Sequence, residues 1–448
     1  MLRFGTDGVR GPANSVLTVE YCVALGRAIA RTFRCSVVIV GRDSRLSGSM
    51  LESALCAGLA SEGVNVECCG VVPTPVVATL SRQRSCVAVM ISASHNPFGD
   101  NGVKVFAPGG TKLSDAEQAN IESHVESILA GAVEFAVLPV GTQVGRIDPI
   151  ADPLGSYLAT ISAALGQRRL DGLSVVLDCA NGASVISAPA AFEAAGAAVK
   201  AVAIATDGVS INDGWGSTHP EGLARMVTES AANLGFAFDG DADRVVAVDE
   251  RGQIVDGDQI IAMLAVHWKQ RGTLRNSGVA VTIMTNLGFH HAMDEHGISV
   301  VQTAVGDRHV AEAIELHQLS LGGEQSGHVI CADIATTGDG VLTALLVAEV
   351  VAETGRPLSE LVGVMRRLPQ SLVNASISAP MPDAARQIAA PIEAAQHELG
   401  DTGRVVVRPS GTEPVVRVMV EASTLETAVA IAERLAAEVV EVDRQRQG

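Results

Sequence analysis

The sequence predicts an α/β protein: related α/β modules in series, with mixed, mainly parallel sheets, closed by a C-terminal α+β segment. Three observations point there. Short β-branched runs alternate with polar, glycine-containing loops and helical periodicity along most of the 448 residues. That length allows about three domains at roughly 150 residues each. The last segment, RVVVRPSGTEPVVRVMVEA, reads differently, as two apolar strands around a polar loop with a helix from about Thr424.

Residues 37–40 form an apolar strand that enters GRDSRLSGS. There Ser47 or Ser49 is placed to cap a helix with Leu51, Ala54, Leu55, Gly58 and Leu59 on one face. Gly63 ends that helix before a strand at 64–66. The same grammar recurs where 87–91 runs into SASHNP, 174–177 into DCANGAS, 234–238 into DGDADR and 279–283 into MTNLG. Strand-loop-helix units of this kind build parallel sheets whose ligands sit beyond the carboxyl ends of the strands. Turn-rich stretches at 144–157 and 367–383, and the ERGQ turn after VVAVD, mark joints. The segments expected are therefore 1–148, 149–251, 252–366 and 367–448.

Composition removes whole function classes. Lys+Arg number 32 against Asp+Glu 50, a net charge of −18, so a nucleic-acid partner is not expected. An anionic substrate would need its cationic partners gathered locally against that field. Aromatics make up 3%, too few for stacking platforms, which leaves recognition to polar contacts. The eight cysteines contain no C-x-x-C pair and read as reduced, mostly buried thiols. MLRFGTDGVRGP lacks an apolar signal core and no apolar run nears 18 residues, so a cytoplasmic protein without a membrane span is expected.

Four loops carry chemistry. Asp239, Asp241 and Asp243 alternate directly after an apolar strand. Carboxylates so close together repel, and a divalent cation, Mg²⁺ before zinc for an all-oxygen set, is the simplest compensation. Alone, such a triplet is more often an acidic surface turn. Arg244 beside it can grip a phosphate oxygen. Strand-then-D-x-D also presents the nucleophile of haloacid-dehalogenase-type phosphatases, yet the continuation here is Ala242-Asp243-Arg244, not glycine then Thr or Val. In SASHNP, Ser94 stands beside His95 on a turn forced by Asn96-Pro97, with Lys104 just downstream. LGGEQSGH offers Glu324, Ser326 and His328, an acceptor and a donor suited to sugar hydroxyls. RPSGTEP offers Arg408, Ser410, Gly411 and Thr412 as a phosphate nest, with Arg417 nearby. The stretch His290, His291, Asp294, Glu295, His296 reads as an exposed helix face.

Together, FGTDGVRG at 4–11, SASHNP, DGDADR, GGEQSGH and RPSGTEP closely resemble the signatures of the α-D-phosphohexomutase superfamily, from Phe4 to about Glu421. INDGWGSTHPEGL, VDGDQI and AVGDRHV resemble its bacterial branch that acts on glucosamine phosphates. The resemblance implies three related α/β modules plus a C-terminal α+β domain around a central cleft. It further implies Ser94 as a phosphoserine that holds Mg²⁺ together with Asp239, Asp241 and Asp243. The implied reaction interconverts glucosamine 6-phosphate and glucosamine 1-phosphate through a sugar 1,6-bisphosphate, with glucosamine or glucose 1,6-bisphosphate as activator. Arg10, Lys104, Arg244, Arg308, Arg408 and Arg417 would supply the positive field, and Lys104 or His328 the general base, with Arg10 in support. The partner is then a small sugar phosphate, for a monomer or homodimer. Phosphomannomutase or phosphoglucomutase activity, a phosphatase and a sugar-phosphate sensor are the competing readings. Ala242 stands where many relatives have glycine, Ala304 where lysine is frequent, and His309 where tyrosine is usual.

Overall fold

The computed structural model of the chain describes residues 2–5, 7–131, 138–409 and 414–447. The chain divides into two compact units, Met1–Thr282 with Ile298–Gly363, and Ile283–Gly297 with Val364–Gly448.

The first unit contains three mixed sheets. In the first, Val37–Arg42 lies parallel to both Asn65–Val71 and Val87–Ile91, while Asp100–Ala107 returns antiparallel to Val87–Ile91 and pairs Val9–Pro12 at the edge. Its central strands read as continuous apolar runs, residues 37–41 and 87–91, because helices cover them. Val38, Val40, Val87, Val89 and Ile91 pack with Leu25, Ile29, Leu55 and Leu59 in one buried core. The helix Gly48–Ser61 buries the face expected of it, Leu51, Ala54, Leu55, Gly58 and Leu59. At Gly58 a Cβ would come within 2.3 Å of the Val23 carbonyl oxygen, so only glycine permits this approach to the helix Val19–Phe33. Ser47 sits at the N-cap, but its hydroxyl accepts from Asn101 Nδ2 (2.9 Å) and makes no cap bond.

The second sheet sets Ser174–Asp178 parallel to Ala198–Val202 and Leu234–Phe238, with Val245–Asp249 antiparallel beyond. The third sets Gly278–Thr282 parallel to Ser299–Thr303 and Leu321–Gly323, with Val329–Cys331 antiparallel. The second unit is antiparallel: Val415–Glu421 lies between Gln370–Ser376 and Arg404–Pro409 and is packed by the helix Leu425–Gln447.

The stretches read as joints hold short strands. Ile147–Pro149 adds a parallel edge to Asn65–Val71, and Pro153 opens a helix. Ile254–Val255, beyond the ERGQ turn, extends the second sheet. Gln370–Ser376 lies within the Pro/Ser-rich stretch, where an antiparallel partner organises a run that composition alone renders as linker. Residues 283–297 cluster with the C-terminal segment. There Asn286 caps the helix Leu287–Glu295 and donates to the buried Glu421 (3.2 Å), which also pairs with Arg404 (2.7 Å). On this helix His291, Asp294, Glu295 and His296 are exposed as expected. His290 is not: burial, then Arg404, lower its imidazole to about 4. The eight cysteines are free thiols. Among the described residues no helix is long and apolar enough to cross a membrane.

Candidate active site

In the first unit the loops that follow Val87–Ile91 and Leu234–Phe238 meet. Ser94 and the three aspartates, 145 residues and more apart in sequence, are all fully or nearly fully buried. Ser94 adopts a left-handed backbone, φ 55°, held by its own N–H donating to Ser92 Oγ (2.8 Å), which in turn donates to Asp43 Oδ2 (2.7 Å). The aspartate turn closes through Ala242 N–H to the Asp239 carbonyl (3.0 Å), with Ala242 also left-handed at φ 55°. That backbone is one glycine adopts most readily. Gly240 lets the two loops touch, since a Cβ on it would stand 2.7 Å from the Ser94 carbonyl oxygen.

Asp239 is held through both carboxylate oxygens, Asp241 and Asp243 through one each. Asp239 Oδ1 accepts from Arg244 N–H (3.1 Å), and its Oδ2 accepts the Ser94 hydroxyl at 2.5 Å. Asp241 Oδ2 accepts from Thr74 Oγ1 (2.6 Å) and faces Lys104 Nζ at 2.8 Å. Asp243 Oδ2 accepts from Lys104 Nζ (2.7 Å). Asp241 Oδ1 and Asp243 Oδ1 are buried with no hydrogen-bond partner among the described residues, and one oxygen from each aspartate lies within 4.8 Å of the others. Two orphaned anionic oxygens beside a third carboxylate form a donor set that fits a hard divalent cation. Burial, then Asp243 and Asp241, push the Asp239 carboxyl well up. Burial also opposes the Asp243 charge, but Lys104 and His328 overcome it and hold that carboxyl low.

Lys104 is locked. Burial opposes its charge, yet Asp241, Asp243 and Asp7 (3.0 Å) together raise it well above the usual ammonium value. Asp7 also pairs with Arg10 (2.6 Å) and Lys112, and Lys112 reaches Asp307 (2.8 Å). Arg10 donates weakly to the Ala93 carbonyl (3.4 Å), one residue before Ser94. His328 is buried, with Nε2 accepting the Gly338 N–H (3.0 Å), which puts the ring proton of a neutral imidazole on Nδ1, 3.8 Å from Asp243. Arg244 Nε lies 3.9 Å from Asp243 Oδ1 and has no hydrogen-bond partner among the described residues. His95 Nδ1 lies 3.3 Å from Ser94 Oγ, and burial, then Arg244 and Arg10, lower its imidazole to about 4.

The other expected residues make contacts of their own, and Glu324 also acts electrostatically on Arg244 and His328. Arg308 pairs with Asp115 (2.5 Å) and Glu312 (2.9 Å). Glu324 Oε1 accepts from Gly306 N–H (3.1 Å), Ser326 is exposed, and Gln325 Nε2 turns to Asp256 (3.5 Å), the cap of the helix Gly257–Gln270. Arg408 and Arg417 are register partners on adjacent strands of the second unit, while Ser410, Gly411 and Thr412 lie outside the described residues. The structure adds Asp7, Thr74, Lys112 and Asp307, none singled out from sequence, although Asp7 and Asp307 lie inside FGTDGVRG and AVGDRHV. A second group that could hold a cation, His267, Glu349 and Glu353, is already met by Arg168 and Arg271.

Four family profiles match the chain. They describe the phosphoglucomutase/phosphomannomutase alpha/beta/alpha domain I over residues 1–131, domain II over 155–252, domain III over 256–368 and the C-terminal domain over 372–438. A phosphoglucosamine mutase of Streptomyces avermitilis is 50% identical over 447 residues, 97% of each chain. One from Rhodococcus opacus is 48% identical, covering 98% of this chain and 99% of its own. The structure of Aspergillus fumigatus N-acetylphosphoglucosamine mutase in complex with GlcNAc-6P and magnesium shares the fold at a TM-score of 0.71 and 20% identity, over 99% of this chain and 96% of that one.

Proposed function

The chain belongs to the phosphoglucomutase/phosphomannomutase family, and within it we propose that it interconverts glucosamine 6-phosphate and glucosamine 1-phosphate, with Ser94 carrying the phosphoryl group. A sugar 1,6-bisphosphate is the intermediate and, added in trace, the activator. The observation that supports this most is the Ser94 hydroxyl at 2.5 Å from Asp239, inside a buried aspartate cluster with two orphaned oxygens. Relatives named for this reaction match nearly the whole chain at about half identity.

Ser94, Asp239, Asp241 and Asp243 are the residues we assign to hold Mg²⁺, the metal named in the fungal complex. Bound there, Mg²⁺ supplies charge stabilisation to the phosphoryl group in transfer. Ser94 Oγ takes the phosphoryl group from the bisphosphate as the bond between that phosphorus and its sugar oxygen breaks; the Ser94 proton passes to Asp239 Oδ2, the acceptor already in place, and from there to the departing sugar oxygen, which leaves as a hydroxyl. Lys104 and His328, the two bases expected from sequence, present no lone pair in this arrangement. Lys104 is held charged by three carboxylates, and His328 commits Nε2 to Gly338. We assign Lys104 to charge balance, and Arg244 and Arg10 to phosphate oxygens beside Ser94. Glu324 and Ser326 remain assigned to sugar hydroxyls, and the segment Arg408–Thr412 with Arg417 to the distal phosphate.

The test is a set of coupled assays on glucosamine, glucose and mannose 1-phosphates with catalytic bisphosphate, combined with phosphopeptide mapping. The highest kcat/KM is expected for the glucosamine substrate, with phosphate on Ser94. Ser94→Ala should lose nearly all turnover. Asp241→Asn should lose more than the roughly 10–100-fold that outer-shell changes cost, while staying folded. Faster turnover of mannose 1-phosphate would move the enzyme to another branch, and full activity of Ser94→Ala would remove the phosphoserine.

A further inference from the structure

Arg45 takes no part in the reaction as described, yet it is a fully buried guanidinium in the loop GRDSR, with its side chain at 0% exposure. Every one of its five N–H donors has an acceptor. Nε donates to Asp43 Oδ2 (2.9 Å), Nη1 to the carbonyls of Pro97 and Asp100 (3.1 Å to the latter), and Nη2 to the carbonyls of Ser94 (2.9 Å) and Asn96 (2.7 Å). The Ser94 loop is thus wrapped around one planar cation. From the loop between the strand Ala198–Val202 and the helix Glu221–Glu229, Asn212 Nδ2 donates to two of the same carbonyls, Ser94 (2.9 Å) and Asn96 (3.1 Å).

Resting on the function proposed above, we infer that Arg45 and Asn212 are positioning residues for the nucleophile: together they hold the carbonyls of Ser94 and Asn96, and so set the direction of Ser94 Oγ. Ser94 sits at φ 55°, a conformation unfavourable for a non-glycine residue, so surrounding contacts must hold it. Asp43 completes the frame. It accepts from Arg45 N–H (3.0 Å) and Ser92 Oγ, and Ser92 Oγ accepts the Ser94 N–H. A buried ion pair is weak as a source of stability, because desolvation offsets most of its attraction. Its consequence here is geometric: four carbonyls fixed by one rigid fork. Lysine offers three donors from a single point and cannot span them.

The experiment compares the unmodified enzyme with Arg45→Lys and Asn212→Ala. It measures thermal melting, kcat and KM for glucosamine 1-phosphate, and the single-turnover rate of Ser94 phosphorylation by glucose 1,6-bisphosphate. An ångström of misplacement costs about 100-fold in rate. Arg45→Lys should therefore lose about 100-fold in kcat and in Ser94 phosphorylation, with KM within about threefold. Asn212→Ala, which leaves the guanidinium in place, should melt like the unmodified enzyme and lose on the order of tenfold in the same two rates. A loss that tracks only the unfolded fraction, or kcat of Asn212→Ala within twofold of the unmodified enzyme, overturns the assignment. Should Arg45→Lys fail to fold, Asn212→Ala still decides. If the unmodified enzyme itself takes no phosphate on Ser94, the proposed function has failed, and that outcome is distinct from equal rates in enzymes that are all phosphorylated.

Discussion

Asp241 has one partnered and one orphaned carboxylate oxygen. Oδ2 takes the Thr74 hydroxyl and Lys104, leaving Oδ1 as the orphan, so in the proposed function Thr74 selects which oxygen is left for the cation. Thr74→Val keeps the shape and removes the donor. Half-saturating Mg²⁺ should rise roughly 10–100-fold, read both from activity and from the Mg²⁺-dependent rise in melting temperature. An unchanged Mg²⁺ requirement in both readouts would show that Lys104 alone orients the carboxylate. Ser94 and the aspartates were legible in the sequence because each follows an apolar strand, the place where an α/β sheet presents its ligands. Thr74 was not, being a single hydroxyl whose partner lies 167 residues away. Lys112 and Asp7 are 105 residues apart, and no local periodicity encodes such a pair. Lys104 was legible as a cation near the right strand end, but its three carboxylate partners, which decide that it holds its proton, were not.

At the scale of elements, the long apolar strands and the helix face at Leu51–Leu59 declared themselves, whereas strands of two and three residues such as Ile254–Val255 and Ile147–Pro149 carry too few positions for any period to register. Helix caps are a further layer that only three-dimensional contacts complete. Asp339 caps the helix Gly340–Thr354, its Oδ1 accepting from Leu342 N–H (3.0 Å) and from the Tyr157 hydroxyl (2.8 Å), while burial pushes its carboxyl up to about 6. The folded state then keeps a proton between about pH 4 and 6 that the unfolded chain releases. That contribution is fully present below the ordinary carboxylate value and is lost as pH rises through 6. Asp339→Asn carries no charge to desolvate and retains Oδ1. Its melting temperature relative to the unmodified protein should therefore climb by about one to two degrees between pH 5 and 7.5. A difference that stays flat with pH would show that Asp339 titrates normally.

For the whole molecule, the sequence sets a condition: an anionic substrate against a net charge of −18 needs local cations. The structure meets it differently from the expectation. Lys104, Lys112 and Arg10 are spent on Asp7, Asp241, Asp243 and Asp307, and Arg308 on Asp115 and Glu312, so among the described residues of this cluster Arg244 is the cation beside Ser94 with no ion pair closer than 3.9 Å. Within this cluster five carboxylates face four cations, so the protein alone does not make the site positive, and a bound divalent ion would reverse its sign. That attraction is short-ranged, whereas the −18 field is long-ranged and repels a sugar phosphate dianion on approach. Screening therefore acts mainly on the repulsion. Raising inert monovalent salt from about 10 mM to about 100 mM shortens the Debye length from about 30 Å to about 10 Å. With Mg²⁺ saturating throughout, kcat/KM for the sugar phosphate should rise roughly twofold over that range through KM, with kcat unchanged. A fall in kcat/KM over the same range would mean that attraction by the metal-bearing site already extends beyond the acidic surface, and that the global charge has no bearing on capture.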